Sequence, residues 1–102
     1  DGRVPLTKGF FDTALTYMID EAQVSSASLL VDGKPYVTVR CDDFPYLGVW
    51  TVENTHPFVC LEPWYGRGDA EGYTGELKDR EGVVTLPAWE SWEKSYSITI
   101  GE

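Results

Sequence analysis

From Ser91 to Ile100 the residues alternate two by two: Trp92, Lys94, Tyr96, Ile98 and Ile100 share one face, and Ser91, Glu93, Ser95, Ser97 and Thr99 share the other. That is the period of a β-strand, and it predicts one mostly buried face and one solvated face. Lys94 can lay its stem along the apolar face and extend its amine to water. Similar short runs recur with Gly, Pro, Asn and Asp between them. Ala27–Val31 and Tyr36–Cys41 are joined through Asp32-Gly33-Lys34-Pro35, and Asp-Gly supplies the positive φ of a tight hairpin turn. Leu47–Val52 and Phe58–Glu62 make a second pair across Glu53-Asn54-Thr55-His56-Pro57. Helical signal is sparse: one turn over Thr7–Asp12 with Phe10 and Phe11 packing inward, and another over Thr74–Glu81 stopped by Gly82 at the C-cap. The expectation is an all-β chain of antiparallel strands with little helix.

Length and charge narrow the function. A chain of 102 residues that is 42% hydrophobic can build one core and not two, and it shows no repeat or linker. Eight Lys and Arg against 17 Asp and Glu give a formal charge of −9, which argues against nucleic acid and anionic membrane surfaces as partners. No apolar run approaches the roughly 20 residues of a membrane helix. Cys41 and Cys60 are too few for a disulfide framework, so a reducing, cytoplasmic setting is the simpler expectation. Four Trp, six Tyr and four Phe in five or six strands carry more apolar surface than so short a chain covers without a long amphipathic helix. Either the strands close a small sandwich or they are one part of a larger one.

The most unusual stretch is Phe58-Val59-Cys60-Leu61-Glu62-Pro63-Trp64-Tyr65-Gly66, where a carboxylate ends an otherwise apolar run. Alternation puts Glu62 on the face of Phe58 and Cys60, and Pro63 should end the strand there, leaving the carboxylate at a sheet rim. A rim carboxylate beside aromatic groups suits proton transfer with a substrate hydroxyl. Trp50, Trp64 and Tyr65 add flat faces on which the C–H face of a sugar ring packs. A purely structural alternative has Glu62 capping the strand end and pairing with Arg67 or Arg40.

Phe44-Pro45-Tyr46-Leu47-Gly48-Val49-Trp50, followed by the Glu62-Pro63-Trp64-Tyr65-Gly66 run, resembles the C-terminal part of the aldose 1-epimerases, the galactose mutarotase-like family. The segment from Leu6 to Leu15 and the strand from Ser91 to Ile100 extend the likeness over nearly the whole chain. The resemblance implies that residues 1–102 are a single segment, the C-terminal third of a large β-sandwich of the galactose mutarotase-like supersandwich kind. It implies an isomerase that interconverts α and β anomers of a hexose by acid–base ring opening and closure. Glu62 matches the family's base. The acid is a histidine in a Gly-Gly-His context that this chain lacks, so the chain alone is expected to be inactive and to need the N-terminal remainder of the fold, in the same protein or a companion chain. No metal or cofactor is implied.

Asp69 matches an acid that follows the same run in relatives, placed to position a substrate hydroxyl or brace the loop. Arg67 and Gly68 depart from the small apolar residues of the pattern, which leaves a phosphorylated or acidic sugar open. His56 is read as a turn residue, since six extended positions place it roughly 20 Å from Glu62. Asp42-Asp43 reads as a turn pair, and the two cysteines as buried strand residues rather than zinc ligands. Two other readings stay open: a non-catalytic sugar-binding or sensing module of the same fold, and a glycosidase, which needs a second carboxylate nearby.

Overall fold

The structure is a computed structural model and describes residues 2–7, 9–12, 16–52 and 58–101. Its strands are β1 (Thr16–Ile19), β2 (Ser26–Val31), β3 (Lys34–Arg40), β4 (Tyr46–Trp50), β5 (Cys60–Trp64) and β6 (Ser97–Ile100), with one 3₁₀ turn at Leu77–Asp79. They form two antiparallel three-stranded sheets, ordered β1-β4-β5 and β2-β3-β6. The all-β expectation holds.

The β2–β3 hairpin turns where Asp-Gly requires it, with φ of 51° at Asp32 and 76° at Gly33, the pair of positive angles that matches the twist of the flanking strands. Its ladder slips between Leu29 and Leu30, where Pro35 enters the register, because proline has no ladder donor. The cross-strand pairs then sort the sheet by polarity. Ala27, Leu29, Val37, Val39, Ile98 and Ile100 share the inner face, whereas Ser28, Thr38 and Thr99 lie outward, with 2.7 Å between the Ser28 and Thr38 hydroxyls.

The chain crosses from this sheet to the other through a tight corner at residues 41–45. There the Phe44 N–H bonds the Cys41 carbonyl at 3.1 Å and Asp43 takes φ 66°. Cys41 and Phe44 from the corner and Leu47 from β4 make the buried cluster, with Ile19, Val24, Ala27, Val49 and Tyr65 against it. The core is thin. Toward β5 and the outer part of β2 the inner faces enclose an apolar space of about 410 Å³, lined by Val4, Tyr17, Leu29, Val49 and Leu61 among others. The radius of gyration of 15.9 Å exceeds the about 13 Å of a self-contained domain of about 100 residues.

Three expectations change. The strand expected over Ser91–Ile100 pairs only at Ser97–Ile100, and its apolar face is open, with Ile98 56% and Ile100 81% exposed. β6 is an edge strand, so its isoleucines lack a neighbour on one side. Residues 91–96 instead lie on the corner: Trp92 is edge-on to Tyr65 at 4.9 Å, Tyr96 to Phe44 at 6.2 Å, and the Lys94 amine stands 5.3 Å over the Tyr65 ring. The helical turn expected over Thr7–Asp12 is not seen at the described residues 9–12, where Gly9 takes φ 93° and the Asp12 N–H closes a tight turn on the Gly9 carbonyl at 3.0 Å. Phe10 and Phe11 do pack inward, against Tyr17 at 4.9 and 5.7 Å. The second helical turn shrinks to Leu77–Asp79 and ends on an extended Arg80; Gly82, at φ 90°, belongs to the next turn and lies against the Tyr46 hydroxyl.

Candidate functional site

The sheet β1-β4-β5 has a second face, turned away from the core. Register places Thr16 and Met18 of β1, Tyr46, Gly48 and Trp50 of β4, and Cys60, Glu62 and Trp64 of β5 on it, with Glu62 directly opposite Gly48. Pro63 does not end β5 as the sequence suggests; it stays in register with Leu47. An edge strand tolerates proline because one side of its ladder is unused, and β5 is at the edge of its sheet. The rim position expected for Glu62 therefore comes from the sheet order and not from a strand end.

Glu62 is half-buried, and its Oε2 accepts the indole N–H of Trp64 at 2.9 Å. The cations offered for the structural alternative are engaged elsewhere. Arg40 pairs with Asp42 at 3.3 Å, and Arg67 pairs with Glu81 at 2.8 Å while donating to the Gly68 carbonyl. The Arg67 guanidinium lies 6.0 Å from the centre of the Tyr46 ring, and contact with Tyr46 and then Glu81 holds it firmly protonated. Tyr46, at 7% exposure, is thus closed over by Arg67 and Gly82.

Of the residues singled out from the sequence, the structure brings Trp50, Glu62 and Trp64 to one face. Trp50 stands in the next same-face pair from Glu62, opposite Cys60, with its ring edge-on to Phe58 at 6.1 Å. Burial and, secondarily, the Glu62 carboxylate push the Cys60 thiol up. Tyr65 is not brought to this face: it packs on the core cluster, 5.2 Å from Phe44, and donates to the Asp43 carbonyl at 3.3 Å. Asp69 accepts Arg80 at 2.9 Å, as a loop brace would. Asp42 and Asp43 form the expected turn. His56 lies outside the described residues. Among the described residues no three His, Cys, Asp or Glu side chains gather as a metal site, and no helix is long and apolar enough to cross a membrane. Both cysteines are free thiols.

Sequence reasoning missed Gly48. The signal was there: a glycine inside a strand marks a close approach, and the atom approaching it is the Trp64 ring. It also missed β1, whose four residues are too short a run to show alternation.

The chain is homologous to two relatives from Lactococcus lactis subsp. lactis, the chromosomal and the plasmid Protein LacX. It is 39% identical to each over 62 residues, which is 61% of this chain and 21% of the relative. The chain thus spans about a fifth of the length of the curated relatives it matches. No family model and no solved structure matches it.

Proposed function

We propose that this chain is the Glu62-bearing part of an aldose 1-epimerase-like isomerase that interconverts the anomers of a hexose. The observation that carries the reading is a carboxylate fixed by an indole N–H on a sheet face, beside Trp50 and Cys60. Homology to the LacX proteins and the resemblance of the Glu62-Pro63-Trp64-Tyr65-Gly66 run support it. Glu62 takes the proton of the C1 hydroxyl while an acid on the remainder of the fold protonates the ring oxygen; the ring opens, C1 turns, and closure runs the transfers in reverse. Trp50 supplies a flat face for the sugar, and Trp64 holds the Glu62 carboxylate. Tyr65 supports the site from the core side, and Asp69 shapes the loop beyond β5. The remaining strands of the sandwich lie over Ile98 and Ile100, whose inward faces are open. Free Cys41 and Cys60 suit a reducing, cytoplasmic setting.

Glu62→Gln in the complete protein should slow anomerisation, followed by polarimetry, by about 100-fold or more with the fold intact. An unchanged rate removes Glu62 from the mechanism. A wild-type protein that binds hexose without anomerising it makes this a sugar-binding module instead.

A further inference from the structure

Tryptophan has one hydrogen-bond donor and no acceptor, so the partner of a half-buried indole N–H is set by the fold. Here the partner is Glu62, two residues back on the same strand face. Positions i and i+2 of a strand are about 7 Å apart, so the ring has to fold back along β5 to reach the carboxylate. The neighbouring strand makes the room. A Cβ on Gly48 would fall 3.0 Å from Cζ2 and 3.1 Å from Cε2 of Trp64, tighter than nine in ten real contacts of this kind, so the ring would have to shift by a few tenths of an ångström. Pro63, between donor and acceptor, fixes φ of the linking backbone.

Resting on the reading of Glu62 as the base, we infer that Trp64 is a positioning residue. Its indole N–H holds Oε2, which leaves Oε1 as the oxygen presented to the substrate hydroxyl, and Gly48 admits the ring that does the holding. An untethered carboxylate rotates about its last bond and offers either oxygen in shifting directions. A tethered one offers a single oxygen along one line, and a displacement of about 1 Å at such a group costs on the order of 100-fold in rate.

Two substitutions break the tether by different routes. Trp64→Phe keeps a ring and loses the donor; Gly48→Ala keeps the donor and displaces the ring. Each, in the complete protein, should lower kcat for hexose anomerisation by roughly 10-fold to 100-fold with KM within about twofold. Trp89→Phe, at a fully exposed position, should change neither. A rise in KM at unchanged kcat would make Trp64 a sugar contact and overturn the positioning role. A second readout does not depend on activity: in Glu62→Gln the Trp64 indole N–H resonance should move upfield as it loses its charged acceptor, and a resonance that stays in place denies the tether. A tether present in a wild-type protein that does not anomerise hexoses rejects the base and the positioning role together. An active protein with an insensitive indole rejects the positioning role alone.

Discussion

Val39 and Ile98 are direct cross-strand partners on the inner face of their sheet, yet Val39 is 5% exposed and Ile98 56%. The two side chains differ in position: Val39 is flanked by β2 and β6, whereas Ile98 lies on the edge strand. If the rest of a longer sandwich covers β6, Ile98→Ser should cost about 2 kcal/mol or more in the complete protein. In the 102-residue chain alone it should stay within about 0.5 kcal/mol. Denaturant midpoints of the two pairs of proteins check this, and equal small losses in both would show that nothing covers the isoleucines.

Gly33 and Gly82 separate conformational strain from crowding. Both have φ in the left-handed region, but a Cβ on Gly33 meets nothing within 4 Å, whereas one on Gly82 would stand 3.1 Å from the Tyr46 hydroxyl. Gly33→Ala should therefore cost about 1–2 kcal/mol from backbone strain. Gly82→Ala should exceed it by a further ~1 kcal/mol or more from overpacking. Urea titrations of the two variants give the comparison; equal losses would mean that Tyr46 yields freely.

The Cys41 thiol is pushed up by burial first and by Asp42 second, with Arg40 opposing. Its proton is held more tightly folded than unfolded. The associated stability is therefore complete below the ordinary thiol range and is lost as pH climbs through the raised folded value. Stability should decline on the alkaline side, and Cys41→Ala should flatten that decline while lowering stability at neutral pH. A decline that persists unchanged in the variant would assign it to other groups.

Cys60 reports on Glu62 without any sugar present. Since the carboxylate adds to what burial does to this thiol, Glu62→Gln should bring Cys60 nearer its ordinary value and speed its alkylation by iodoacetamide at mildly alkaline pH. An unchanged rate would mean that the two groups do not feel each other.

Asp69 tests whether the loop acid is a brace. Its pair with Arg80 leaves the carboxylate 58% exposed, so Asp69→Asn should cost less than about 1 kcal/mol. Hexose KM in the complete protein should hold. A large rise in KM would place the carboxylate on the sugar after all.

What could be read from the chain in advance follows the range of the forces involved. The Asp32-Gly33 turn was legible because a local backbone requirement decides it. The shared face of Cys60 and Glu62 was legible because strand alternation is rigid. Pro63 misled, since its missing donor matters only when both sides of a strand are paired, and edge position is settled by β4 and β1. Tyr65 looked equivalent to Trp64, yet one residue along a strand is the opposite face, and there Phe44 and Trp92 hold it. Ser91 to Tyr96 alternate as well as Ser97 to Ile100 do, but the first six residues found aromatic rings at the corner and the last four found β3.

The hydroxyls of Ser28, Thr38 and Thr99 give sheet β2-β3-β6 a definite orientation. One side is finished for water, hydroxyl against hydroxyl; the other is a hydrocarbon surface that β6 leaves bare. A neighbour of any kind can approach profitably from one direction only, and the opposite side is where a fluorophore or an affinity handle can be attached without standing in its way.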